Sequence, residues 1–385
     1  MRIAALIAFT AFALSAVHAG ATERFHPVAP DYVVLRVPAR AQNDPITLLE
    51  QQRSRAPGDQ RIAAELAALY VERARVQREA RYFGRAEMLI QPWIARPYAL
   101  VATLRVQADI LQNRHDFSGA LALLDAAVSR EPRDISARLM RASVKVVQGR
   151  AGDARGDCAA VLAGGESAAG TVCLAQVLGD TGKLVQAEAR LKSVVARGTA
   201  LPAQVRGWAL WLQADFADRR GDAPAAVALL RAALSAEPFN EGIRSALCDL
   251  LIARGDLRAA LTVVDLPAPS IGLLARRARI QKLLLDSRGL NVTQSQIADL
   301  LSLASRRGER PHLREEALLA LDVEADAARA LQLARANFEQ QRETIDARLL
   351  VRAARAAGDL AALAEVARWL HETGFEDQEL AGIRT

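Results

Sequence analysis

Enzymatic chemistry needs nucleophiles, acids, bases or metal ligands at workable spacing, and this chain offers few. Beyond the first nineteen residues its histidines are His26, His115, His312 and His371, each isolated from spaced acidic or cysteine partners. It has no HExxH or CxxC pair to hold zinc, and no glycine-rich phosphate loop of either common kind. Gly165-Glu166-Ser167-Ala168-Ala169 approaches the GxSxG turn that presents a nucleophilic serine, but it lacks the last glycine and a preceding strand. The stretch reads instead as a turn between helices. No catalytic, cofactor or metal-binding residue is assigned, and no cofactor is expected.

Composition points to helices. Hydrophobic residues make up 51% of the 385 but aromatic ones only 4%, so the apolar content is largely alanine and leucine. These side chains lose little entropy in a helix, whereas β-branched and aromatic residues favour sheet. Net charge is +6, carried by arginine, with only four lysines. Arginines alternate with Asp and Glu along most of the chain, so the charge reads as a solvated, arginine-biased surface and no nucleic-acid partner is expected.

Met1-Arg2 is followed by the apolar run "IAALIAFTAFALSAV" and then "HAGA". A short basic start, a brief apolar middle and small residues behind it read as a cleavable signal peptide over 1–19. Cleavage is expected before Gly20 or Thr22. No other stretch is long and apolar enough to span a bilayer, so no stable membrane insertion is expected after cleavage. The mature chain is expected to be exported, periplasmic first and secreted as the second choice. Residues 20–45 then form an extended leader containing "DYVVLRV", the one β-like run, between Pro30 and Pro38.

From about Ile46 the pattern is helical, and it repeats. In "RRGDAPAAVALLRAALSAEP" (Arg219 to Pro238), Ala226, Leu229, Leu230 and Ala233 follow i, i+3, i+4, i+7 behind Gly221-Asp222. Ala120, Ala154, Ala187, Ala226 and Ala260 recur at intervals near 34 residues; a glycine stands five before each except Ala120, where His115 replaces it. Twelve residues before each alanine sits another small residue: Ala108, Ala142, Ala175, Ala214 and Cys248. Two antiparallel helices can cross closely only if both carry small side chains where the backbones meet.

This helix-turn-helix unit, with small residues at positions 8 and 20 and a closing proline (Pro132, Pro238), resembles the tetratricopeptide repeat (TPR). The resemblance implies an all-α fold, a right-handed α-solenoid with a concave groove. Five repeats are expected over 101–268, behind a long N-terminal helical hairpin at 46–100 and before degenerate repeats and a cap at 269–385. Cys158 and Cys173 fall on neighbouring helices of successive repeats, so they either form a disulfide or stay as small buried thiols. Cys248 fills an alanine slot.

In this family, first-helix positions 2, 5, 9, 12 and 13 face the groove. The resemblance thus places Arg105, Asp109, Gln112 and Asn113 there in the first clear repeat. In the fourth it places Trp208, Trp211, Asp215 and Arg219, and in the fifth Asp249. Trp208 and Trp211, one turn apart, would either anchor an apolar side chain of a peptide or be buried against a neighbouring helix. The lysine and asparagine by which some relatives clamp a terminal carboxylate are replaced by Arg105 and Asp109.

The expected function is therefore a non-enzymatic scaffold binding a protein or peptide segment in the groove. Two alternatives stand beside it. One is a structural subunit of an envelope assembly, acting through the convex face or leader. The other is a cell-wall enzyme with a helical frame, for which Glu166-Ser167 resembles the Glu-Ser pair of lytic transglycosylases, though that family's companion segments are absent. Partner identity and oligomeric state are not legible in the sequence.

Overall fold

The computed structural model describes residues 44–306 and 312–383. The expected signal segment and the leader up to residue 43, "DYVVLRV" included, lie outside them. The described residues form an all-α array of nineteen α-helices. They run α1 (Pro45–Arg55), α2 (Gln60–Gln77), α3 (Arg81–Ile94), α4 (Val101–Asn113), α5 (Phe117–Arg130), α6 (Ile135–Val147), α7 (Ala151–Ala163), α8 (Ser167–Gly179), α9 (Leu184–Val195) and α10 (Ala203–Arg219). The order continues with α11 (Ala223–Ala236), α12 (Glu241–Ala253), α13 (Leu257–Val264), α14 (Ile271–Leu283), α15 (Ser287–Arg306), α16 (Leu313–Leu319), α17 (Ala327–Gln340), α18 (Thr344–Ala357) and α19 (Leu360–Thr373). A π turn, Ala320–Glu324, extends α16.

After α1, each even-numbered helix and its successor form a hairpin, giving nine hairpins in series. The even-numbered helices also pack in a row, from α2 to α10 and again from α12 to α18. The small residues seen in the sequence make this possible. Ala108, Ala142, Ala175, Ala214 and Cys248, and their counterparts Ala120, Ala154, Ala187, Ala226 and Ala260, are all buried. Helix starts are fixed by side-chain caps: Asp59, Asp116, Asp134, Asp222, Asn240, Ser270, Asp326 and Asp359 each accept a backbone N–H in the first turn. The array is the α-solenoid expected from the repeat pattern.

Every hairpin turn contains one residue in the left-handed region: Arg78, His115, Gly149, Gly182, Gly221, Gly255, Leu285, Ala325 and Gly358. Five are glycine, which adopts this conformation without steric cost. The other four show that hairpin packing can impose it on an ordinary residue.

The helices α7 and α8 approach each other closely at Gly170. A Cβ added to Gly170 would lie 2.6 Å from the Leu162 backbone, and backbone cannot swing aside as a side chain can. Gly170→Ala should therefore destabilise the chain by about 1–3 kcal/mol despite alanine's better helix propensity. A urea midpoint at or above that of the parent would show that α7 and α8 do not approach this closely. The same two helices are linked by a disulfide between Cys158 and Cys173, with Cα atoms 5.4 Å apart. Closing a loop of this length constrains the unfolded chain by about 3 kcal/mol. Cys248 is a buried free thiol, pushed up to about 12 by burial with the Asp249 carboxylate adding to it.

Candidate partner-binding site on the first helices

The structure gives the nine predicted groove positions unequal surroundings. On α4, Arg105 pairs with Asp134 at 3.1 Å, and Asp134 also caps α6 by accepting the Ala137 N–H. Asp109 pairs with Arg75 of α2. Gln112 is half-buried, and Asn113, at the end of the helix, is exposed. These side chains therefore join one repeat to the next while leaving a polar, partly open surface.

On α10 the same register is taken up by the chain itself. Trp208 is half-buried against the clusters around Phe216 and around the Cys158–Cys173 pair. Trp211 lies against α12, where a Cβ on Gly242 would sit 2.6 Å from its ring. Both indoles thus pack between repeats. Asp215 accepts a hydrogen bond from the Thr344 hydroxyl of α18 at 2.9 Å.

Arg219 is 1% exposed. Its guanidinium donates to the Gly179 carbonyl at 2.7 Å, Asp180 at 2.9 Å, the Glu376 carbonyl at 2.8 Å and Asp215 at 3.3 Å. It also lies 3.8 Å from the centroid of the Phe375 ring. In return the Gln378 N–H donates to the Arg219 carbonyl at 2.8 Å. The Phe375–Gln378 segment is thus held by backbone and side chain together, as an added peptide would be. Arg219 was expected on an open groove; it is enclosed instead, because a guanidinium with five donors is satisfied here by two carboxylates and two carbonyls. Asp218 pairs with Arg348 of α18, which also holds Asp377 at 2.9 Å and Glu379 at 3.2 Å. Asp249 is likewise committed, in a bidentate pair with buried Arg276 at 2.6 and 2.9 Å.

This docking continues along the hairpin turns. Gly149 faces Arg342, whose N–H donates to the Val147 carbonyl at 2.8 Å. A Cβ on Gly182 would sit 2.9 Å from the Gly374 carbonyl oxygen, and the Leu184 N–H donates to Glu376 at 3.2 Å. His115 stacks edge-on with His312, ring centroids 6.1 Å apart. Arg78 reaches Glu241 at 3.9 Å. The turns of the first five hairpins are therefore all met by later parts of the chain, Gly221 by Gln378.

Sequence reasoning missed two buried polar clusters inside the array. Asp157 of α7 is 2% exposed and bound by Arg138 at 3.1 Å, by Lys145 at 2.9 Å and by Arg141 through both oxygens. The available signal was three basic residues at i, i+3 and i+7 on α6, one helix face that needs an acid opposite it. Burial pushes the Asp157 carboxyl up, but hydrogen bonds and charge from Arg141 and Lys145 outweigh it and hold the group below its ordinary range. Arg314 of α16 similarly gathers Asp346, Glu343 and Gln341, with Asn337 donating to Asp346 at 2.7 Å. These residues are scattered in sequence and carry no local signature.

Asp180 and Asp215 form a close acidic pair across Arg219, the kind of feature that hydrolases use. Burial pushes Asp180 up to about 6; the Arg219 charge opposes this, while Asp215 and Glu343 add to it. The pair has a structural role, since both carboxylates bind the enclosed Arg219 guanidinium and Asp215 also accepts from Thr344. The sign of the shift is testable. Between the unfolded value near 3.8 and the folded value near 6, the native state holds the proton more tightly, so this group's contribution to stability falls as pH rises. Asp180→Asn should remove that slope, so variant and parent urea midpoints should separate between pH 4 and pH 7 in the variant's favour, by up to about 3 kcal/mol. Parallel curves would show that Asp180 titrates as a solvated carboxylate.

Among the described residues no helix is long and apolar enough to cross a membrane. The tetratricopeptide repeat family model matches residues 219–270, that is α11 to α13 with the turns around them. No curated protein matches the chain. Solved structures that resemble it include PilF of Pseudomonas aeruginosa, at 16% identity and a TM-score of 0.38, over 52% of this chain and 91% of that one. A tetratricopeptide-repeat protein of Thermus thermophilus aligns at 19% identity and a TM-score of 0.37, over 51% and 98%. Another, from Parabacteroides merdae, aligns at 13% and 0.36, over 76% and 98%. The family match falls on hairpins built like their neighbours, with buried small residues at the crossing and a left-handed turn every 30 to 40 residues. Residues 219–270 thus match a tetratricopeptide repeat, and the hairpins on either side of them share its helix-turn-helix architecture.

Proposed function

We propose that the protein is a non-enzymatic scaffold of the bacterial envelope that binds a protein or peptide segment along its first helices. The repeat fold is generally a protein-interaction scaffold, and its members are typically not enzymes. The observation that carries the reading is the way α10 already holds a non-helical segment. Arg219, at position 13 of its repeat, binds Glu376 through its guanidinium and Gln378 through its carbonyl. The equivalent end of α4 has the same register, with Asn113 exposed and Gln112 half-buried, and it is the part of the predicted surface left for a partner. Envelope location is supported by the signal-like first nineteen residues and by the Cys158–Cys173 disulfide, since such bonds persist in oxidising compartments.

Photoreactive residues placed at Asn113, Trp211 and Ser193 in the native envelope test this. Ser193 is exposed on α9, a second helix. The reading expects a discrete adduct from Asn113 and little from Trp211, whose indole is packed on α12. Adducts from Ser193 with none from Asn113 would move the partner to the second-helix face and overturn it.

A further inference from the structure

The turn between α4 and α5 is built on a titratable ring where five of the nine hairpin turns use glycine. His115 holds the left-handed conformation there, at φ 58°. Its ring lies edge-on to buried Phe117, with centroids 5.8 Å apart, and edge-on to His312 at 6.1 Å. His312 stands immediately before α16. The Nδ1 atom of His115 is enclosed and has no hydrogen-bond partner among the described residues. Two imidazoles thus meet where the second hairpin touches the later part of the chain.

Neutral imidazoles pack as aromatic rings, whereas an added proton brings a charge into the contact. The groups that act on His115 from α16 and the residue before it are His312, Arg314 and Glu315, and Glu343 acts from the turn before α18. Arg314 and Glu343 already pair with each other at 2.6 Å, and Arg314 also holds Asp346. On the near side, Arg114 is paired with Glu87, and Asp116 caps α5. Burial holds the His115 imidazole below its ordinary value; Arg314 and His312 add to this, while Glu315 and Glu343 oppose it. A proton gained here meets a second imidazole and a guanidinium.

We propose that His115 and His312 form an acid-released latch, which holds the α4–α5 turn to the start of α16 while both rings are neutral. The contribution of His115 is complete above its ordinary value of 6.5 and is lost as pH falls through the lower folded value. At Arg219 the sign is opposite. The native state holds the Asp180 proton more tightly, so that group's contribution grows as pH falls from about 6. Acid therefore loosens the docking at His312 and spares it at Glu376. The Gln112 carbonyl accepts the His115 N–H at 3.0 Å, so release would also reach the partner surface at Gln112 and Asn113. That last consequence rests on the scaffold reading; the latch does not.

The test measures backbone hydrogen exchange on the full mature chain at pH 7.5 and pH 5.0, as protection factors that remove the intrinsic effect of pH. The Glu316 N–H, which donates to the His312 carbonyl at 2.9 Å, reports on the latch, and the Gln378 N–H reports on the Arg219 end. In the parent, Glu316 protection should fall about tenfold at the lower pH while Gln378 protection does not fall. His115→Asn removes the titrating ring, and asparagine accepts the left-handed conformation. Its melting temperature at pH 7.5 should stay near the parent's, and its Glu316 protection should no longer follow pH. An equal fall in parent and variant, or no fall in the parent, would overturn the proposal. So would a His115 ring proton signal that titrates at or above 6.5 in the parent, a measurement that needs no variant. Loss of Glu316 protection on adding EDTA at pH 7.5 would also overturn it, by assigning the two rings to a bound metal ion. No partner is present in these measurements, so their outcome is separate from that of the scaffold reading.

Discussion

Replacing Arg219 with alanine is expected to cost about 3–5 kcal/mol and to release the C-terminal segment from α8 and α10. The guanidinium is the point where three parts of the chain meet: Gly179 and Asp180 at the end of α8, Asp215 on α10, and the C-terminal segment with the Glu376 carbonyl and the Phe375 ring. A buried cation need not add much net stability over an apolar residue of its size, because desolvation offsets its attractions. Removing it alone is another matter. Asp180 and Asp215 would face each other without a counter-charge, and two carbonyls would lose their donor. Arg219→Lys should recover only part of the loss, since an ammonium cannot present donors in a planar fork to two carboxylates and two carbonyls. Chemical denaturation measures the first effect, and limited proteolysis near residue 374 the second. A variant as stable as the parent, with its C-terminal end equally resistant, would remove Arg219 from this role.

Asp157→Ala should destabilise the second and third clear repeats by about 3 kcal/mol or more. The carboxylate neutralises Arg138, Arg141 and Lys145, whose side chains are each less than a fifth exposed, so the alanine variant leaves three cations crowded at the α6–α7 crossing. Arg141 retains Asp125, which limits the damage. The pH dependence has the opposite sign to that of Asp180. Because the native state depresses the Asp157 carboxyl, its contribution is present above the unfolded value near 3.8 and is lost as pH falls through the lower folded value. Parent and Asp157→Ala midpoints should therefore converge in strong acid. A double variant, Asp157→Ala with Arg141→Ala, should lose less than the sum of the two single losses. Strict additivity would show that the pair does not interact.

The hairpins were legible in the sequence where physics restricts the choice of residue. Ala226 and Ala214 announce a close crossing because nothing larger fits, and Gly149, Gly182, Gly221 and Gly255 announce turns because they sit in the left-handed region. The same rule explains why the repeats at 269–385 read as degenerate. The turns there are made by Leu285 and Ala325 before Gly358 restores the signal, and packing supplies the conformation the residue type does not favour. Helical register also located Asp215, Arg219 and Asp249 on the first helices. It could not show what faces them. Thr344 meets Asp215 across 129 positions and Glu376 meets Leu184 across 192, distances over which no local period carries information. Trp208 and Trp211 illustrate the remaining ambiguity, because an aromatic on that face can line a groove or fill the step between repeats, and only the position of Gly242 decides for Trp211.

The surface at α10 is already occupied by the chain's own C-terminal segment, which leaves the proposed partner to other parts of the array. Backbone hydrogen exchange at Arg342 and Gln378 tests it most directly, because their N–H groups donate to the Val147 and Arg219 carbonyls across the turns of the third and fifth hairpins. Both amides should exchange as slowly as the interior amides of α10, through the same cooperative opening. Exchange at the rate of an unpaired tail, with α10 still protected, would contradict it.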